Sequence, residues 1–295
     1  MSPVLIDLHT HSTSSDGTDT PTELIAAATA AGLDVVALTD HDTTHGWDEA
    51  QAAVESTPGG PILVRGMEMS CQGRGEDGDP VTVHLLAYLF DSTHTAFAQE
   101  RSRLRAEREV RLRRMIDLMA ADKYDVDADT ILAAAGPSAG RPHLARALVA
   151  AGVVETVNDA FADLLKTGGK YYVEKADTPL DVAVAMVAEA GGVPVIAHAR
   201  ARKRGRLLHT DHILELARGG QLGGLEVDHP DHSPEDADAL RDIAEHHGLV
   251  VTGSSDYHGT NKTTPIGART TAVDQFEKLV AKAAGVPPIH PDGRR

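Results

Sequence analysis

Nine potential metal ligands in this chain fall where short apolar runs stop, and few folds can bring such positions together. His9 and His11 follow the run at 4–8, with Asp16 just beyond; His41 follows 35–38, Glu68 follows 62–64, and His84 follows 81–83. His198 closes the run 193–197, and Asp256 and His258 follow 249–252. Side chains on a strand alternate, so His9-x-His11 turns both imidazoles to one side. In parallel sheets the rim beyond the strand ends is where sites assemble, and a closed barrel gathers several such ends on one ring.

The segments between these runs read as helices, for example 21–31 stopped by Gly32, 48–54, 179–190, 213–218, 234–247 and 273–284. Strand and helix in alternation predict parallel βαβ units and an α/β fold. The predicted strands are 4–8, 35–38, 62–64, 81–89, 193–197, 225–227 and 249–252, one fewer than a standard (β/α)8 barrel has. The rhythm breaks at Asp91. Residues 95–121 carry one long helical pattern with Leu104, Leu112, Met115, Ile116 and Met119 on or near one face. Helices at 128–135, 144–151 and 158–165 follow. The expected organisation is a barrel from residues 1–90 and 176–295 with a helical subdomain inserted at 91–175, and a frayed tail from Pro287 onward.

Bulk properties exclude several function classes. With 41% apolar and 24% charged residues the chain reads as a globular protein of the water-soluble kind. Aromatics make up only 3%, which leaves little surface for stacking single-stranded bases, and the net charge of −16 opposes stable binding to duplex nucleic acid. The most apolar long stretch, 182–199, is broken by Glu189, Gly191-Gly192 and Pro194, so no membrane span is expected. Cys71 stands alone and no basic leader opens the sequence, which makes the cytoplasm the expected location.

Taken singly, a buried His is an ordinary core residue, and Asp16 in Ser14-Ser15-Asp16-Gly17 reads as a turn. A carboxylate such as Glu68 ending a buried strand is different, because it needs a partner. Imidazoles mixed with carboxylates suit Zn, Mn or Fe, and nine ligands exceed the four or so that one ion uses. Two or three divalent ions are therefore expected, with Glu68 or Asp256 as a bridge. Ions about 3.5–4 Å apart can share a hydroxide and polarise a phosphoryl oxygen.

The segments Asp7-x-His9-x-His11, Ser15-Asp16-Gly17, Leu38-Thr39-Asp40-His41-Asp42, Gly66-x-Glu68 and Ser255-Asp256-x-His258 resemble the PHP (polymerase and histidinol phosphatase) family of metal-dependent phosphoesterases. The likeness spans about residues 4–90 and 180–260. It implies a distorted (β/α)7 TIM-like barrel with a trinuclear Mn, Zn or Fe site. By resemblance, one ion takes His9, His11, Glu68 and Asp256. A second shares Glu68 and adds His84 and His198, and a third takes Asp16, His41 and His258. Ala199 departs from the Pro common after the ligand that matches His198.

The helical insertion and Gly140-Arg141-Pro142-His143-Leu144-Ala145-Arg146 are similar to the family's stand-alone nucleotide phosphatases. That likeness implies phosphate release from a 3′,5′-nucleoside bisphosphate such as adenosine bisphosphate, or from AMP, by a metal-bridging hydroxide. Arg141 and His143 would contact phosphate, although Arg141-Pro142 also suits a plain helix start. Histidinol-phosphate phosphatase, trimming of short RNA from the 5′ end, and a metal-stabilised binding module are the alternatives. The arginines from Arg101 to Arg114 are expected on a solvated face paired with Glu100, Glu107 and Glu109. Those from Arg200 to Arg206, with Lys170 and Lys175, are expected near the cleft.

Overall fold

In a computed structural model describing residues 3–291, eight strands make one sheet: β1 (Ile6–Thr10), β2 (Val35–Leu38), β3 (Ile62–Arg74), β4 (Pro80–Tyr88), β5 (Thr178–Pro179), β6 (Val193–Ile196), β7 (Gly224–Asp228) and β8 (Val250–Gly253). The order is β1-β2-β3-β4-β6-β7-β8, with the two-residue β5 pairing off β3. Helices α1 (Pro21–Ala30) and α2 (Trp47–Glu55) link the first strands. Between β4 and β5 come α3 (Thr95–Ala121), α4 (Ala128–Ala134), α5 (Arg141–Ala150) and α6 (Val157–Asp159), the last continued by a wide helical turn, Ala160–Leu164. The second half holds α7 (Leu180–Glu189), α8 (Thr210–Gly219), α9 (Pro234–His247) and α10 (Val273–Lys282).

The ring is nearly closed. Where β8 meets β1 the loop after β8 replaces a ladder: His11 N donates to Tyr257 O at 2.9 Å, and Thr271 N donates to Ile6 O at 2.8 Å. Thr271 Oγ1 also exchanges hydrogen bonds with Gly253. Ile6, Leu8, Val35, Ala37, Val64, Leu86, Tyr88, Val195 and Val250 form the inner core, joined by Leu279 of α10. The outer faces of the strands, with Val36, Leu63, Met67, Leu85, Ile196 and Leu225, pack under α1, α2, α7, α8 and α9.

An all-parallel arrangement does not occur, because β4 runs antiparallel to both β3 and β6. β3 does not stop at residue 64. It continues for 13 residues with Met67, Met69 and Cys71 turned to the outer core, then reverses through Asp77-Gly78, where Gly78 takes φ 87°. Asp-Gly between strands is a strong hairpin signal. Glu68 and His84 therefore lie within strands rather than at their ends.

β1 carries a bulge, since Asp7 pairs with Val36 but Thr10 with Leu38. Three steps on one strand against two on the other re-aim the side chains beyond Leu8, which brings His9 and His11 to the inner face.

α3 spans about 40 Å at 1.5 Å per residue. Its Phe97 and Leu104 belong to the barrel core. Leu112, Met115, Ile116 and Met119 belong to a separate core with Ile131, Leu144, Leu148 and Leu165. One helix thus joins two cores. The expected solvated arginine face is only partly present. Arg103 does pair with Glu100, but Arg101 is buried, Arg108 reaches Asp42, and Arg111 Nε donates to Val173 O at 2.7 Å. The tail is not frayed as far as Ile289, which exchanges backbone hydrogen bonds with Leu63 at 2.8 and 2.9 Å.

The loop after β6 is also spent on structure. Arg200 pairs with Glu76 and Asp236, Arg202 with Asp236, and Arg206 with Asp77. These arginines tie the β3–β4 hairpin and α9 to the barrel. The Arg204 side chain lies outside the described residues. Hydrogen bonds from Arg202 hold the Asp236 carboxyl down to about 2, from an ordinary 3.8. A folded pKa below the unfolded one stabilises above about pH 4, and that stabilisation is lost as pH falls through about 2. The Tm gap between wild type and Asp236→Asn is expected to shrink between about pH 5 and about pH 2. A gap independent of pH would contradict this.

Candidate metal centre

The nine residues converge on one buried cluster around Glu68. Its Oε2 lies 3.2 Å from His9 Nε2, 3.1 Å from His11 Nε2 and 3.1 Å from His41 Nδ1. Its Oε1 lies 2.8 Å from His84 Nδ1 and 2.9 Å from His198 Nε2. Asp256 Oδ1 is 3.5 Å from both His9 and His11 and 3.4 Å from His258 Nδ1. Asp16 completes the ring, 3.3 Å from His258 Nε2 and 3.6 Å from His41 Nε2. Three overlapping groups bring their ligand atoms within 4.8 Å of one another: His11, Asp16, His41 and His258; His9, His11 and Asp256; His41, Glu68 and His84.

The electrostatics favour positive charge here. Burial opposes a cation at His9 and His11, yet the surrounding carboxylates outweigh it. His9 is raised well above its ordinary value by Glu68, Glu226 and Asp256, and His11 to about 9 by Asp256 and Glu68. Burial likewise opposes the anions, but His258 and His41 hold Asp16 well below the usual carboxylate range, and His84, His41 and His9 do the same for Glu68. Burial pushes His41 well down, and burial with Lys262 takes His258 to about 4. Neutral imidazoles at His41 and His258 beside the ionised carboxylates of Asp16 and Glu68 are the states that a divalent cation requires, whereas His9 and His11 would each give up a proton to bind one.

The donor set fits such ions. Nδ1 of His41 and Nδ1 of His84 are buried and make no hydrogen bond, although Glu68 lies within 3.1 and 2.8 Å of them. Nε2 of His9 and Nε2 of His11 are 3.0 Å apart. Bonds of about 2.1 Å from one ion to two neighbouring nitrogens place those nitrogens about 3.0–3.4 Å apart. Asp42, His198 and Asp256 sit at φ 53°, 30° and 54°, left-handed values that are rare away from glycine. Strain of this kind clusters at functional sites.

The insertion closes over one side. His143 is buried, and its Nδ1 accepts from Gly140 N at 3.1 Å, so in the neutral ring Nε2 carries the proton. Burial and Arg146 lower its pKa. Arg146 itself donates to Asp16 O at 3.3 Å. Arg141 packs among the insertion's own residues. Its guanidinium lies over Phe161 and Tyr172, at 5.4 and 5.7 Å, and donates to Leu165 O. Burial and then Arg111 lower it to about 10. Lys175 is buried against Asp177, 3.9 Å from Asp42, whereas Lys170 turns away to Asp122.

Sequence reasoning missed the residues around the cluster. β7 brings in Glu226, wholly buried beside His9, and the loop that follows it brings in His229, whose Nε2 is 3.4 Å from Asp256 Oδ2. Lys262 Nζ is 2.5 Å from the same oxygen. Glu226 left a signal, because a carboxylate between Leu225 and Val227 in a buried strand needs partners as much as Glu68 does.

The model of the PHP domain matches residues 7–178, more than half of the chain. The chain belongs to the PHP domain family. This PHP-domain chain is 37% identical over 257 residues to a 3′,5′-nucleoside bisphosphate phosphatase of Chromobacterium violaceum, covering 86% of this chain and 87% of that one. It is 33% identical over 259 residues to a 5′-3′ exoribonuclease of Haemophilus influenzae, covering 85% and 89%. A solved structure from Bifidobacterium adolescentis, a candidate metal-dependent phosphoesterase, superposes with a TM-score of 0.88 at 38% identity, covering 96% of this chain and 98% of the other. The PHP family's metal-dependent phosphoester hydrolysis suits the cluster's mixed imidazole and carboxylate donors.

Proposed function

We propose that this protein is a phosphomonoesterase that hydrolyses a small nucleotide, a 3′,5′-nucleoside bisphosphate or AMP, at a centre of two or three Mn, Zn or Fe ions. The observation that carries the reading is Glu68, one carboxylate within 3.2 Å of five imidazoles. His9, His11, Asp16, His41, Glu68, His84, His198, Asp256 and His258 would hold the ions. Residues 1–90 and 176–295 would form the barrel unit, and 91–175 the unit that receives the substrate. The named activity of the Chromobacterium relative supports the bisphosphate. Net charge −16 accords with a small ligand rather than duplex nucleic acid, and the lone Cys71 accords with a cytoplasmic protein.

Divalent ions held there acidify water and offset charge on phosphoryl oxygens. In the hydrolysis a water oxygen bonds to phosphorus, the ester P–O bond breaks, and the departing alcohol oxygen gains a proton. The chain's own part is positioning. His143 offers its Nε2 proton to a phosphate oxygen, and Arg141 offers a guanidinium held by two aromatic faces. Arg141→Ala is expected to lower kcat/KM about 10–100-fold, mostly through KM, as one charge-assisted contact is lost. An unchanged KM would remove Arg141 from the site.

The direct test is inorganic phosphate released from 3′,5′-adenosine bisphosphate by the metal-loaded protein. Chelation should abolish release, and restored Mn, Zn or Fe should recover it. No release across nucleotides and sugar phosphates would refute the proposal. Faster turnover of histidinol phosphate, or rates that climb with RNA length, would move the substrate to those classes.

A further inference from the structure

β7 supplies none of the nine cluster residues, yet it places a fully buried carboxylate against two of them. Glu226 Oε1 accepts from His9 Nδ1 at 2.9 Å and also from Ser254 Oγ. Its Oε2 accepts from the backbone N of His198 at 2.8 Å. Glu226 and Glu68 thus have opposite surroundings. Glu68 Oε1 and Oε2 face the ring nitrogens of the cluster, whereas both oxygens of Glu226 are taken up by donors from three different segments. A carboxylate with its lone pairs committed in this way orients ligands instead of acting as one.

We infer that Glu226 is a positioning residue: it fixes the proton of His9 on Nδ1, so that Nε2 faces the cluster, and it pins the His198 backbone in its left-handed conformation. Both consequences follow from geometry. With Nδ1 donating to Glu226, the His9 lone pair lies on Nε2, 3.0 Å from His11 Nε2 and 3.2 Å from Glu68. His198 has φ 30°, a value a residue with a side chain keeps only when its surroundings enforce it, and its N–H is held by Oε2. Ligands on β1 and after β6 are thereby set by one side chain on β7. Carboxylates that orient ligating imidazoles in this way typically tune metal affinity 10–100-fold.

This inference rests on the reading of the cluster as a metal centre. The test is Glu226→Gln, nearly the same in volume. An amide offers one accepting oxygen and an NH2, so either His9 Nδ1 with Ser254 or the His198 N–H then faces a donor. Titration of the metal-free proteins with Mn or Zn is expected to show affinity weakened about 10–100-fold in the variant. Activity at saturating metal should return close to wild type. Equal affinity in the two proteins, with only Tm lowered, would overturn the inference while leaving the metal reading intact. A wild type that takes up no divalent ion would overturn both. Should the variant not fold, nitrogen-15 spectra of histidine-labelled wild type decide, with His9 assigned by its absence in His9→Gln. In metal-loaded protein His9 is expected to carry its proton on Nδ1, and a proton on Nε2 would overturn the inference.

Discussion

Glu68→Gln is expected to lower kcat/KM by about 10³-fold or more and to remove the metal-dependent rise in Tm. The substitution keeps the side chain's size and deletes the charge that five imidazoles share. An amide NH2 then points at His84 and His198 or at His9, His11 and His41, where a ligand oxygen should be. Loss of metal-derived transition-state stabilisation is worth several kcal/mol, hence the thousandfold. Bound metal stabilises the folded chain by mass action, so the Tm response reads occupancy independently of turnover. Activity within tenfold of wild type, with metal still raising Tm, would mean that Glu68 is not the hub.

Arg108→Ala is expected to cost about 3–5 kcal/mol of stability, because it strands a buried carboxylate. Asp42 is wholly buried, and its Oδ2 lies 2.5 Å from Arg108 Nε, with Lys175 at 3.9 Å as the next cation. Arg108, then Lys175, hold the Asp42 carboxyl well below its ordinary range against the effect of burial. The pair also fastens the insertion to the barrel, since Arg108 lies on α3 and its Nη2 donates to Ser70 Oγ of β3 at 2.8 Å. Urea denaturation measures the loss. Adding Asp42→Asn to Arg108→Ala should recover a substantial part of it, because a neutral Asn still accepts from Ser70 and tolerates the left-handed backbone at φ 53°. A loss below about 1 kcal/mol in Arg108→Ala would show that the pair is not needed.

Helices with strong local signals were legible from sequence. Thr95–Ala121 and Pro234–His247 have the expected boundaries, fixed by their apolar faces and, for the latter, by Ser233 and Pro234 at the start and Gly248 at the end. The ligand cluster was legible for a different reason: His9, His41, His198 and Asp256 each follow an apolar run, and only a ring of strands brings such points together. The direction of β4 was not read. Its clue was local, in Asp77-Gly78 and in the period-two pattern of Met67, Met69 and Cys71, but Gly66 and Gly73 obscured the strand. The arginines were least legible. Arg200 meets Glu76 across 124 residues of sequence and Arg108 meets Asp42 across 66, and nothing local to either arginine announces its partner.

The most direct test of the central claim is metal analysis of the purified protein, combined with anomalous scattering from its crystals. Two or three divalent ions per chain, all within the ring of His9, His11, Asp16, His41, Glu68, His84, His198, Asp256 and His258, are the expected result. A metal-saturated protein with ions bound elsewhere, or with none, would contradict the account.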